Sequence, residues 1–151
     1  MTYTYEEVLK IAGEHSDHGT RVTEFEGALK DALRYTDPKH PALEIGNRDG
    51  GSALLIMWHL YMEGRGRVLY TVDVNDEAKL ISEWAGKLHV TSTHMKSAQA
   101  DFVLNDRKEY GFIYLDADHS QDSVSRDMKL LALRMPKGAM MVVDDVNDWK
   151  E

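Results

Sequence analysis

The chain has 151 residues, 42% of them hydrophobic, which is enough for one domain with a sizeable core. A net charge of −8 disfavours a nucleic-acid backbone as partner, since that affinity is carried by clustered Lys and Arg. The absence of cysteine excludes disulfides and thiolate metal sites and fits a cytoplasmic protein, no apolar run is long enough to span a membrane, and Met1–Glu7 lacks the features of a signal peptide.

Thr4 followed by Glu7 fits a capping box, and Tyr5, Val8, Leu9, Ile11 and Ala12 form an apolar stripe, so a helix is predicted over 4–14. His15 and His18 follow in a loop. No third ligand stands near them, so they read as exposed loop residues rather than a metal site. A second helix is predicted over 23–35, with Thr23 and Glu26 as its capping box and Phe25, Ala28, Leu29, Ala32 and Leu33 facing inward. Pro38 and Pro41 end it. Ala42–Ile45 is then a short buried strand, followed by a glycine-rich turn and an apolar helix over 52–62. Leu54, Leu55, Ile56, Trp58, Leu60 and Tyr61 leave that helix almost no polar face, as expected of one packed on both sides. Glycines in the turn keep the backbone open to a ligand, and the helix start offers unpaired N–H groups and a positive dipole end.

Residues 63–67 form a turn, and 68–72 form a second strand ending at Asp73. An acid there is placed to take the two hydroxyls of a ribose. It could instead cap the next helix, expected from Asn75 or Asp76 to Ala85 with Gly86 as its stop. A third strand is expected over 88–93 and a short helix over 98–105. Phe112–Leu115 is a buried fourth strand with Asp116, Asp118 and His119 at its end. A helix over 122–135 carries Val124, Met128, Leu131 and Met135 on one stripe, and a fifth strand over 139–143 ends in Asp144 and Asp145.

Strands alternating with helices predict an α/β fold: a doubly wound, mostly parallel sheet in the order 3-2-1-4-5 with helices on both faces. Strands 4 and 5 are then neighbours, so Asp116 faces Asp144 and Asp145 across about 4.8 Å. Three converging carboxylates repel one another unless a cation sits among them, and hard oxygen ligands suit Mg²⁺, with Ca²⁺ or Mn²⁺ also fitting.

The glycine turn lacks the dinucleotide pattern G-x-G-x-x-G. Its Glu44-x-Gly46-x-x-x-Gly50 instead resembles the first motif of class I S-adenosylmethionine-dependent methyltransferases. Asp116 and the pair Asp144-Asp145 resemble the acids of metal-dependent O-methyltransferases, including those acting on catechols and sugars. Asp116-Ala-Asp-His119 fits the D-x-x-H pattern of the sugar-modifying members. The string LDADHSQDSVSRD is similar to a methyltransferase subfamily with an aspartate–glycine–aspartate–histidine–serine element, Ala117 replacing the glycine. The likeness spans roughly 42–146, with 1–36 as N-terminal helices of the same single domain.

This resemblance implies a Rossmann-like fold and S-adenosylmethionine as cofactor. The cofactor would be held by Glu44, Gly46, Asn47, Arg48, Gly50, Ser52, Asp73, Val74, Met95, Ser97 and Asp116. Lys96 stands where the family commonly has an acid to read the adenine. Arg48 could touch the cofactor carboxylate or pair with Asp49. The implied metal ligands are Asp116, Asp144 and Asp145, with Asp118 further out. His119 would be the general base for a small hydroxylated acceptor; its other reading is a residue that merely orders the loop.

The usual sixth and seventh strands have no counterpart before Glu151. A minimal enzyme, a truncation, or a homo-oligomer covering the exposed edge strand would each account for that. A non-catalytic module that binds S-adenosylmethionine and acts through a partner is the competing function. A nicotinamide-dependent oxidoreductase is disfavoured by the glycine pattern.

Overall fold

The computed structural model describes residues 2–16, 22–116 and 120–144, with residues 22–25 as backbone only. Among the described residues, two helices precede a run of strands and helices in alternation: α1 (Tyr5–Glu14), α2 (Val22–Tyr35), β1 (Ala42–Ile45), α3 (Gly51–Glu63), β2 (Leu69–Asp73), α4 (Lys79–Leu88), β3 (Ser92–Lys96), α5 (Gln99–Asn105), β4 (Phe112–Leu115), α6 (Gln121–Ala132) and β5 (Met140–Val143). The strands form one parallel sheet in the expected order β3-β2-β1-β4-β5.

Alternation along each strand splits the core in two. Ala42, Phe112 and Tyr114 face a layer built by α1 to α4, while Leu43, Ile45, Ile113 and Leu115 face α5 and α6. Residues 53–58 of α3 are all buried, because α1, α2 and α4 pack around that helix while it lies on the sheet. Tyr61 and Met62 are exceptions: they emerge beyond its packing partners and are exposed.

Several local expectations are corrected. The Thr4–Glu7 capping box forms as expected. The second helix already begins at Val22, so Thr23 lies inside it rather than at its N-cap. The fourth helix begins at Lys79 and runs through Gly86 to Leu88. Its late start has a cause in Asp73, whose Oδ1 accepts from the Asn75 backbone N–H (2.9 Å) and side-chain amide (3.1 Å), an Asx turn that competes with helix. Its late end comes from His89, which adopts the left-handed cap (φ 53°) while the Val90 N–H bonds Ala85 O at 3.0 Å. The third strand is displaced with it, so His94, Met95 and Lys96 lie inside β3 rather than after it. On α6 the buried positions are Val124, Asp127 and Leu131, whereas Met128, expected on the apolar stripe, is exposed.

Arg67, at the end of the expected turn, is buried. Its guanidinium donates to Thr36 Oγ1 (2.8 Å), Thr36 O (3.0 Å) and Glu63 Oε1 (3.2 Å). It thereby ties the ends of α2 and α3 together. No helix among the described residues is long and apolar enough to cross a membrane.

Candidate functional site

The rim at the C-terminal edge of the sheet is continuous. The first residue beyond β3, β1, β4 and β5 still bonds to the neighbouring strand: Ser97 N to Asp73 O (2.9 Å), Gly46 N to Val72 O (2.8 Å), Asp116 N to Ile45 O (2.9 Å) and Asp144 N to Leu115 O (3.1 Å). Ser97, Asp73, Gly46, Asp116 and Asp144 therefore stand in one row although they lie far apart in the sequence. Parallel strands place such residues about 4.8 Å apart, at the edge where open α/β sheets bind ligands.

The turn after β1 needs unusual backbone. Gly46 (φ 83°) and Gly50 (φ 92°) are left-handed, as is Arg48 (φ 40°). Only Gly46 of these glycines lines the cleft. A Cβ on Gly50 would meet Ile81 Cγ1 at 2.9 Å, and one on Gly51 would meet Ala12 O at 2.5 Å. At those two positions the close approach is to α4 and α1, not to a ligand.

Asp73 locks this turn. Its Oδ2 accepts from the backbone N–H groups of Asn47 and Arg48, both at 3.1 Å, and its Oδ1 takes the two Asn75 donors. Four N–H groups thus meet the roughly four lone-pair sites of one carboxylate. Partial burial raises its pKa, but the N–H donors of Asn75, Arg48 and Asn47 outweigh that and hold it below the usual carboxylate range. Asp73 is not the N-cap of α4, which begins six residues later at Lys79.

Glu44 is the opposite case. It lies fully buried in mid-sheet beneath the start of α3, where Ser52 Oγ donates to its Oε1. Burial pushes its carboxyl up to about 8 against the Ser52 bond, and Asp116 and Asp73 add repulsion. Its Oε2 has no partner among the described residues, and neither does the side-chain amide of Asn47, 4% exposed. Buried polar groups are rarely left unsatisfied, so these atoms mark a place where a further partner is wanted.

A cleft of about 300 Å³ opens on this rim, lined by Ile45, Gly46, Arg48, Val72, Asp73, Val74, Asn75, Ser97, Gln99 and Asp116. Of the predicted cofactor residues, Gly46, Arg48, Asp73, Val74, Ser97 and Asp116 face it. Glu44, Asn47, Gly50 and Ser52 form the layer behind it, and Met95 lies inside β3 opposite Val72. A neighbouring cavity shares the Arg48 and Asn75 wall. Asn75 and Gln99 line the cleft as well, neither being among the expected cofactor residues. Asn75 was legible as the second residue of an Asx turn after Asp73; Gln99 has no comparable signal. Ile45 and Val72 were read as core, and each has one edge on the cleft.

Asp116 and Asp144 stand side by side, as the β4–β5 register requires. Asp118, His119 and Asp145 lie outside the described residues. Among the described residues no group of three His, Cys, Asp or Glu side chains could hold a metal ion.

A parallel sheet in this order with a cleft at its C-terminal rim defines a Rossmann-like α/β domain. A methyltransferase-domain family profile matches residues 43–146, and the chain belongs to that family. It is 31% identical over 112 residues to the rhamnosyl O-methyltransferase of Mycobacterium leprae, covering 70% of this chain and 48% of that protein. The Mycobacterium tuberculosis rhamnosyl O-methyltransferase gives the same identity over 45% of its length. The chain thus spans about half the length of the curated relatives it matches. Two solved structures share the fold. The MycE methyltransferase from the mycinamycin biosynthetic pathway, in complex with Mg and SAH, aligns with TM-score 0.62 and 17% identity over 91% of this chain and 39% of its own. The SAH-bound Podospora anserina methyltransferase PaMTH1 aligns with TM-score 0.61 and 17% identity over 92% and 60%.

Proposed function

We propose that this domain is an S-adenosylmethionine-dependent O-methyltransferase acting, with a divalent cation, on a small hydroxylated acceptor. The observation that carries the reading is the unbroken rim from Ser97 through Asp73, Gly46 and Asp116 to Asp144. It sets a nucleoside cleft directly beside a pair of acids. The orphaned polar atoms of Glu44 and Asn47 support a ligand at the glycine turn. The mycobacterial relatives, rhamnosyl O-methyltransferases, support oxygen as the acceptor atom.

When bound, S-adenosylmethionine supplies an electrophilic methyl group on its sulfonium. Asp73 and the Gly46 turn hold the nucleoside, and Val74, Ser97 and Asp116 line its sides. Asp116, Asp144 and Asp145 would hold the cation, Mg²⁺ by their hard oxygen character, and it would supply Lewis acidity to the acceptor hydroxyl. His119, three residues after Asp116 in the sequence, would accept the proton of that hydroxyl as general base. Rate comes chiefly from fixing two substrates side by side.

A chain of this charge takes a small-molecule acceptor rather than a nucleic acid or a membrane surface, and works in the cytoplasm. The outer edge of β5 pairs with a second copy of the chain. Light scattering tests this last point, and a monomer at all concentrations refutes it.

Calorimetry with S-adenosylmethionine, with and without Mg²⁺, tests the site. Asp144→Ala leaves cofactor affinity within about twofold while removing the Mg²⁺ effect on transfer to polyhydroxylated acceptors. A metal response that survives in Asp144→Ala refutes the metal assignment. Cofactor binding without transfer to any acceptor favours a binding module.

A further inference from the structure

His94 lies inside β3 and is bonded at both ring nitrogens. Nδ1 is 3.0 Å from Thr71 Oγ1, and Nε2 is 2.9 Å from the backbone oxygen of Asn75. Thr71 is the register partner of His94 on β2 and is fully buried. Asn75 belongs to the loop between β2 and α4 and lines both the cleft and the neighbouring cavity. One ring therefore reaches from the interior of the sheet to the wall of the cleft. His94 itself lines neither cavity, so anything it does there it does through Asn75.

The chemistry of the two partners fixes the ring. A carbonyl oxygen only accepts, so Nε2 carries the proton of the Asn75 bond. In the neutral ring Nδ1 is then an acceptor, and the Thr71 hydroxyl donates to it. Thr71 is β-branched and buried, which holds that hydroxyl firmly. Asn75 in turn gives Asp73 Oδ1 its backbone N–H at 2.9 Å and its side-chain amide at 3.1 Å. Asp73 Oδ2 passes the connection on to the Asn47 and Arg48 N–H groups of the glycine turn. Lys96, two residues on and so on the same face of β3, also reaches this loop, with Nζ 3.0 Å from Asp76 Oδ1. The Asp76 side chain is 90% exposed, and so wet an ion pair holds little. The histidine is the firmer of the two ties.

We propose that His94 is a positioning residue: it holds the Asn75 carbonyl so that both Asn75 donors stay on Asp73, and the cleft keeps its shape before a ligand arrives. This rests on reading the cleft as an adenosyl site. A loop that orders only as the ligand binds lowers affinity by the entropy of ordering; a loop already held does not. Glutamine and asparagine divide the two bonds of the ring between them. Glutamine sets an amide N–H near the place of Nε2 and keeps the Asn75 bond. Asparagine ends near the place of Nδ1 and reaches only Thr71.

Calorimetry with S-adenosylhomocysteine on the wild type, His94→Asn and His94→Gln tests this. His94→Asn weakens binding about tenfold, the ordering of a residue or two of loop. His94→Gln stays within about threefold of the wild type, since the Asn75 bond survives. A purely structural histidine lowers the melting temperature of both variants and either spares the affinity of the folded protein or weakens it equally in the two; both results overturn the proposal. The backbone order parameter of Asn75 reads the same tie with no ligand present. It is about 0.85 in the wild type and in His94→Gln and falls below about 0.6 in His94→Asn; a value alike in all three overturns the proposal. Should His94→Asn fail to fold, Thr71→Val decides, because it frees the ring from its anchor at nearly constant shape. It weakens the ligand about threefold or more, and an unchanged affinity overturns the proposal. If the wild type binds no S-adenosylhomocysteine, the adenosyl reading fails and the order parameters alone decide whether His94 holds the loop. Wild-type binding with an unchanged affinity in His94→Asn leaves that reading intact and removes only the role of His94.

Discussion

Glu44→Gln separates burial from function at the centre of the sheet. In the unfolded chain the carboxyl titrates near 4.5, and in the fold burial holds it up to about 8, with Asp116 and Asp73 contributing. Between those values the unfolded state has lost a proton that the folded state keeps. Stability therefore falls as pH rises, by about 1.4 kcal/mol per pH unit. The contribution is fully present below 4.5 and is lost as pH passes through about 8. Across the window the loss is on the order of 5 kcal/mol, a large share of the stability of a domain. Glutamine is close in shape and never ionises. Its oxygen still accepts from Ser52 Oγ, and its N–H₂ takes the place of the carboxyl O–H. Urea unfolding of both proteins at pH 5, 6, 7 and 8 gives near-equal midpoints at pH 5 and a variant that is more stable by a few kcal/mol at pH 8. A difference that stays constant over that range refutes the reasoning.

Gly86→Ala stabilises by about 0.5–1 kcal/mol, since Gly86 lies inside α4 and a Cβ there meets nothing within 4 Å; a loss of stability on thermal unfolding would mean that Gly86 ends the helix after all. Gly51→Ala destabilises by about 2–4 kcal/mol in the same assay, because its Cβ would meet the Ala12 carbonyl at 2.5 Å and α1 must shift. Arg67→Ala costs about 3–5 kcal/mol in urea unfolding, leaving Thr36 and Glu63 without their buried partner. Arg67→Lys recovers only part of it, lacking the fork that reaches both residues. Asp73→Asn sets an N–H₂ against N–H donors of the glycine turn, lowering stability by about 2 kcal/mol and weakening S-adenosylmethionine in calorimetry. Unchanged stability would show that Asp73 does not hold the turn.

The sheet was legible because its signals are local and repeated. Short apolar strands at β1 and β4 are found at the residues expected, and once five strands alternate with helices the right-handed crossover leaves few orders to choose from. The rim of acids follows from that order, since Asp73 is the last residue of β2 and Asp116 and Asp144 are the first residues past β4 and β5. The errors arise where a bond outside the local pattern decides the outcome. Gly86 reads as a stop only if its neighbours do not continue the helix, and Val90 bonding back to Ala85 decides that. The buried Arg67 and Asp127 interrupt no pattern that a window of neighbours could reveal; their partners, Thr36 and Gln99, are 31 and 28 residues away.

Glu44 and Asp73 show why residue type alone understates a site. Both are acids on adjacent central strands, and both belong to the motifs that suggested the family. One is buried with a single donor and is held protonated around neutral pH; the other collects four N–H groups and is held ionised. The difference is set by the N–H groups of Asn47, Arg48 and Asn75, which point at Asp73 because Gly46, Arg48 and Gly50 take left-handed backbone. The charge at Asp73 in turn disfavours a second charge on Glu44. The glycine turn thus acts on the cleft twice, once by shape and once by deciding which of two carboxyls carries the negative charge. A ligand with a positive centre near that turn finds one fixed anion, already paid for by the fold, and a second that ionises only when something nearby stabilises it.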